Sequence, residues 1–135
     1  MNVNEKGDLA VFKTCLRAAE KGYVVSKPLS DSCRYDLIID VGNKLLRAQV
    51  KYADGKSSLS SGVARVGLEK KDRTGRVTLY NKQEIDMILV YLPVVDKMCC
   101  FSSEDFTGKR NLFIRYQPAK NNQAKKCRFL EDCIW

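Results

Sequence analysis

The sequence predicts an α/β protein. Three observations predict it: an early segment with helical apolar spacing, a succession of strand-length apolar runs after it, and turn residues where those runs end. From Asn4 to Lys21, the residues Leu9, Phe12, Cys15, Leu16 and Ala19 recur at three- and four-residue intervals, which marks them as one buried helical face. Asn4 is the expected N-cap, Glu5 and Asp8 suit the opening turns, and Gly22 ends the helix. Tyr23-Val24-Val25-Ser26 reads as a short strand closed by Pro28, followed by a turn at Asp31-Ser32. Residues 35–40 and 44–53 are the next two strands, joined by a hairpin signal at Gly42-Asn43. Residues 54–61 form a polar, glycine-containing loop. Val63 to Leu68 and Val77 to Tyr80 are expected to pair as a second hairpin, whose connection carries Lys70, Lys71, Arg73 and Arg76 against Glu69 and Asp72. Residues 86–92 and 97–101 are two more strands around Pro93. Ser102 or Ser103 caps a short helix over Glu104-Asp105-Phe106, and Leu112 to Tyr116 is a late strand. With no internal repeat, residues 1–135 are expected to form one domain.

Composition narrows the partners. Hydrophobic residues make up 44% of the chain without any long Gly, Ser or Pro tract, so a packed core is expected. The longest apolar run, Met87 to Leu92, is too short to span a bilayer and is not placed as a signal peptide. A cytoplasmic protein with no membrane partner is the expectation. Lys and Arg number 24 against 16 Asp and Glu, a net charge of +8 that favours a phosphate polymer as partner without separating DNA from RNA. The chain has no histidine, which excludes histidine triads, general bases and metal ligands. Its six cysteines show no Cys-x-x-Cys spacing, so reduced and mostly buried thiols are expected and zinc is not.

The chemistry is concentrated in two neighbouring strands. Tyr35-Asp36-Leu37-Ile38-Ile39 carries an acid, and Leu46-Arg47-Ala48-Gln49-Val50-Lys51 carries a polar residue two positions before a lysine. Strand alternation places Gln49 and Lys51 on one face, with Ala48 and Val50 packed behind. An acid to hold a divalent cation, a polar neighbour, and a lysine beside the attacked phosphate are what phosphodiester hydrolysis requires.

The order and spacing of Lys6-Gly7-Asp8-Leu9, Gly22-Tyr23-Val24-Val25, Arg34-Tyr35-Asp36-Leu37, Gln49-Val50-Lys51, Tyr80 through Val90, and Lys120-Asn121-Asn122-Gln123 resemble a known family. The chain resembles bacterial, cyanobacterial in type, group I intron-encoded homing endonucleases of the PD-(D/E)XK superfamily. That resemblance implies an α/β restriction-endonuclease-like core: a mixed β-sheet, flanking helices, β-hairpin DNA-binding extensions, and an active site at one sheet edge. It implies Mg²⁺ as cofactor, with Asp36 and the Val50 carbonyl as ligands and Gln49 coordinating directly or through water. Lys51 is then the residue that orients or activates water and offsets charge on the transition state. Two positions depart from the general pattern. Gln49 stands where an acid is usual, although the intron-encoded branch is similar in this respect, and Val11 stands where the family places Glu. Valine holds neither metal nor water, so the chain as written is expected to be weakened or inactive. Asp8, one helical turn before Val11, is the nearest substitute acid.

The implied substrate is double-stranded DNA, bound chiefly through phosphates. Lys56, Lys71, Arg73, Arg76, Asn122 and Lys125 are the expected contacts. Cutting both strands of a long site calls for a homo-oligomer, with the resemblance favouring a tetramer over a dimer. Such an enzyme is expected in the bacterial cytoplasm on the nucleoid. Two rival readings are a junction-resolving or repair nuclease of the same fold and a non-catalytic nucleic-acid-binding protein.

Overall fold

The computed structural model describes residues 1–57, 61–118 and 127–135. Its first element, α1 (Val3–Glu20), is capped by Asn2 rather than by Asn4. The Asn2 side chain accepts from the Glu5 amide at 2.9 Å, and the Glu5 carboxylate accepts from the Asn2 amide at 3.0 Å. Capping from Asn4 would place Gly7 three residues on, with no side chain to return the bond. At the other end Gly22, at φ 77°, takes the left-handed conformation that lets the chain turn back.

The buried face of α1 also differs from the expected one. Ala10, Thr14 and Ala18 are buried and Leu9 and Cys15 partly so, whereas Phe12 and Leu16 are 67% and 58% exposed and Ala19 is exposed. The sheet beneath is the reason: it raises Leu37, Ile39, Met87, Leu89 and Tyr91 towards the helix, so the helix meets it with its smallest side chains.

The strands among the described residues are β1 (Val24–Ser26), β2 (Leu37–Asp40), β3 (Leu45–Tyr52), β4 (Val63–Gly67), β5 (Glu69–Lys71), β6 (Val77–Leu79), β7 (Met87–Leu92), β8 (Lys97–Ser102), β9 (Asn111–Arg115) and β10 (Arg128–Phe129). Short helices α2 (Ser103–Phe106) and α3 (Leu130–Cys133) complete the set, β10 and α3 being unforeseen in the sequence. A mixed five-stranded sheet runs β1-β2-β3-β7-β8. All its pairs are antiparallel except β3–β7, which is parallel, with Ala48 opposite Met87 and Tyr52 opposite Tyr91. β7, between β3 and β8, is buried along its whole length, because α1 covers one face of the sheet and a second apolar layer covers the other. That layer includes Ala64 and Val66 of β4 and Leu112 and Ile114 of β9, packed with Ile88, Val90, Phe101 and Phe106.

The second hairpin is not the one expected. Val63–Gly67 pairs with β9, and the hairpin is formed by β5 and β6 alone, from Glu69 opposite Leu79 to Lys71 opposite Val77. Leu68 divides the two, being fully buried with its amide donating to the Arg110 carbonyl at 2.9 Å. The hairpin turn is held by Asp72, whose carboxylate accepts from the Thr74 hydroxyl and from the amides of Thr74 and Arg76; these bonds keep its carboxyl below the usual range.

Arg47 of β3 fixes the approach to β7. Its Nε and amide donate to one oxygen of Asp86 at 3.1 and 2.8 Å, and Nη2 donates to the other at 3.1 Å. The Asp86 carboxyl is accordingly held below its ordinary range. Cys99 and Cys133 are buried while Cys15, Cys33, Cys100 and Cys127 are only half-buried, so the free thiols are less enclosed than expected. No helix among the described residues is long and apolar enough to cross a membrane.

Candidate active site

Asp36 lies immediately before β2 and is fixed by β3 on both sides. Its amide donates to the Ala48 carbonyl at 2.9 Å, and its Oδ2 accepts from the Val50 amide at 2.9 Å. One carboxylate oxygen is thereby used in positioning, and the other remains for a ligand. The parity expected of β3 holds: Ala48 and Val50 pack into the α1-side cluster, while Gln49 and Lys51 share the opposite parity.

A cleft of about 500 Å³ opens where β1 has ended and β2 begins, beneath the first half of α1. Asp8 and Val11 line it from the helix, and Asp36, Gln49 and Val50 line it from the sheet. Five of the residues singled out by sequence are thus brought to one place. Lys51 is not among the lining residues. Its ammonium lies over the ring of Tyr80, 5.0 Å from the centroid, on the negative face of the π-system.

Tyr80 and Arg34 belong to this neighbourhood; both fall in segments that carry the family resemblance, but neither was expected as a site residue. Tyr80 is 1% exposed, and the Arg34 guanidinium lies 4.6 Å from the same ring. Arg34 is ion-paired with Glu84, and its Nη1 donates to the Thr78 hydroxyl at 3.0 Å. Through Thr78 and Tyr80 the β5–β6 hairpin is therefore tied to the residue two before Asp36 and to the lysine of β3. Their place in the Arg34-Tyr35-Asp36-Leu37 and Tyr80 to Val90 segments was the sequence signal for them, since no spacing rule links positions 34, 51 and 80.

The cleft offers oxygen donors, the carboxylates of Asp8, Asp31 and Asp36 and the amide of Gln49, against the single thiol of Cys33. Such a donor set fits a hard cation such as Mg²⁺ better than a thiophilic one. Among the described residues no three of His, Cys, Asp and Glu are gathered closely enough to enclose a metal, and Val11 lines the cleft with an apolar side chain. Of the expected DNA contacts, Lys56 is exposed beside β4, and Lys71, Arg73 and Arg76 are exposed on the β5–β6 hairpin. Asn122 and Lys125 lie outside the described residues.

A carboxylate before one strand, a polar-x-lysine on the next, and a helix over the acid are the marks of a nuclease built on the restriction-endonuclease-like fold. A sequence model of the PD-(D/E)XK endonuclease family matches residues 1–133, and the chain belongs to that family. Among solved structures it is similar to the bacterial homing endonuclease I-Ssp6803I, with a TM-score of 0.75 and 24% identity over 95% of this chain and 86% of that one. It is also similar to Hjc, a Holliday junction resolvase from the archaeal hyperthermophile Archaeoglobus fulgidus, with a TM-score of 0.51 and 12% identity over 82% and 84% of the two chains. No curated protein matches it in sequence. At these identities the structural likenesses establish the fold.

Proposed function

We propose that this PD-(D/E)XK nuclease is a Mg²⁺-dependent homing endonuclease that makes sequence-specific double-strand cuts in DNA and promotes group I intron mobility. The observation that carries the reading is the convergence of Asp8, Val11, Asp36, Gln49 and Val50 on one cleft, with Lys51 on the adjoining stretch of β3. Asp36 is assigned as metal ligand through the oxygen not engaged by Val50, with the Val50 carbonyl and Gln49, directly or through water, as its companions. Bound Mg²⁺ would supply Lewis-acid polarisation of the phosphodiester and acidify a water. Lys51 donates to the phosphate or the attacking water as negative charge grows. The +8 net charge draws DNA to the surface and makes affinity salt-dependent.

Val11 limits this chemistry because it leaves the helix side of the cleft with Asp8 as its nearest acid. Val11→Glu is expected to raise Mg²⁺-dependent cleavage of a randomised duplex library by about 10–100-fold, the usual scale for groups that support a metal ligand. Unchanged cleavage by Val11→Glu, together with loss on Asp8→Ala, would reassign the helix acid to Asp8. No metal-dependent cutting by any variant, with DNA still bound, would select a non-catalytic binding protein.

A double-strand cut needs two such clefts, and hence more than one copy of the chain. We assign a homo-oligomer, tetrameric in preference to dimeric, acting on the bacterial nucleoid. The exposed Phe12 and Leu16 of α1 offer an apolar surface for it. Phe12→Glu with Leu16→Glu, both on the solvent side of the helix, is expected to lower the sedimentation coefficient towards that of a monomer while the circular dichroism spectrum stays unchanged. A monomeric parent chain, with and without DNA, would overturn the assembly. The likeness to a Holliday junction resolvase gives the second reading. Cleavage of branched DNA regardless of sequence, in preference to duplex, would select it.

A further inference from the structure

We infer that the outward face of the β4–β9 ribbon reads base edges in the major groove of duplex DNA, through Arg65, Asn111 and Phe113. This rests on the DNA-cleaving function proposed above and adds to it the surface that distinguishes one sequence from another.

The register of the ribbon sets Arg65 opposite Phe113 and Gly67 opposite Asn111. Alternation turns these four to one face and sends Ala64, Val66, Leu112 and Ile114 into the core on the other. On the outward face Arg65 is exposed and Asn111 and Phe113 are half-exposed. The chemistry of an arginine and an asparagine beside an aromatic ring matches the groove. Arg65 Nη1 donates to Asn111 Oδ1 at 3.0 Å, which commits the amide oxygen and orients the guanidinium. The rest of the arginine fork and the asparagine NH₂ remain as donors, suited to the O6 and N7 acceptors that guanine presents and the N7 of adenine. Phe113 offers an apolar contact for the thymine methyl.

Shape agrees with chemistry. β10 joins the other edge of β9 only at Ile114 and Arg115, so the end bearing Arg65, Asn111 and Phe113 is two-stranded. A two-stranded antiparallel ribbon fits the major groove of B-form DNA, whereas the deep, narrow major groove of an A-form RNA helix does not admit one. A Cβ built at Gly67 would meet nothing within 4 Å, so the fold does not demand glycine there. The missing side chain instead keeps the ribbon low where a groove wall would pass.

The ribbon is also held at a fixed place relative to the cutting strand. The loop following β3 packs against it, the Arg65 amide donating to the Lys56 carbonyl at 3.3 Å and the Tyr116 hydroxyl to the Gly55 carbonyl at 2.7 Å. Lys56, Arg65, Asn111 and Phe113 line one depression of about 620 Å³ together with Asp54 and Ser57, so a lysine able to meet a phosphate stands beside the reading residues, two cations against one carboxylate.

The test is selection of bound sites from a randomised duplex library, which needs no cleavage, using the full chain and its Arg65→Ala, Asn111→Ala, Gly67→Val and Arg73→Ala variants. The parent is expected to enrich a defined site. Arg65→Ala should lose its preference for guanine at one position, by about tenfold or more, with preferences elsewhere intact. Gly67→Val should keep its melting temperature and lose the enriched site, while Arg73→Ala weakens all sequences alike. Enrichment of the parent's site by both Arg65→Ala and Asn111→Ala would overturn the ribbon as reader and leave the DNA-cleaving function standing. A parent that enriches no duplex, or that binds RNA in its place, would overturn both the ribbon as reader and the sequence-specific homing function, and one that prefers branched DNA would overturn the ribbon as reader and select the junction-resolving reading.

Discussion

Lys51→Ala, introduced into the Val11→Glu chain, is expected to lower single-turnover cleavage by about 10²–10³-fold, the scale of losing one preorganised donor to a charged transition state. DNA affinity should change little, because one cation among 24 Lys and Arg residues is a small part of the phosphate contact. The Gln49-Val50-Lys51 pattern alone does not carry this expectation; Tyr80 does. The lysine ammonium is held over a ring that is 1% exposed, so its position is set by the core and not by a mobile surface. Equal loss of binding and cleavage would show that Lys51 is a DNA anchor and not a transition-state donor.

Tyr80→Ala should produce the second large effect, on two readouts. Removing a fully buried aromatic ring costs about 3–5 kcal/mol of stability, measurable as a fall in the denaturant midpoint. Arg34 and Lys51 would also lose the ring between or beside their charges. Tyr80→Phe keeps the ring face and should preserve both stability and cleavage more nearly. At temperatures where Tyr80→Ala remains folded, its kcat should fall with KM unchanged, and the mutation should have no further effect on kcat when Lys51 is already alanine. Additive losses in that double mutant would mean that Tyr80 does not act through Lys51.

The elements of this fold were legible where a signal is local. The helix over α1, the β2–β3 hairpin at Gly42-Asn43 and the apolar strand at Met87–Leu92 follow from period, turn chemistry and length. What the sequence could not display was which face each neighbour would demand. Phe12 and Leu16 have the spacing of a core stripe, yet the sheet's own large residues leave room only for Ala10, Thr14 and Ala18. The pairing of β4 with β9 was likewise hidden, because it joins distant segments through hydrogen bonds that leave no mark on local sequence. The candidate site divides in the same way. Asp36, Gln49 and Val50 converge as their strand pattern suggests, but Arg34, Tyr80 and Arg65 enter through long-range packing and cross-strand contact.

The single parallel pair in the main sheet has a consequence for the order in which the enzyme acquires its activity. The β2–β3 hairpin closes locally, so the segment bearing Asp36 and Gln49 can zip up as soon as it leaves the ribosome. β3 must then wait for β7, since Ala48 pairs with Met87 across a long intervening stretch that includes Tyr80. Until that crossover shuts, the acid half of the machinery exists without the support that holds its lysine. On the function proposed above, nascent and prematurely terminated chains would leave DNA uncut, and cutting competence would arrive late, as a property of the completed fold.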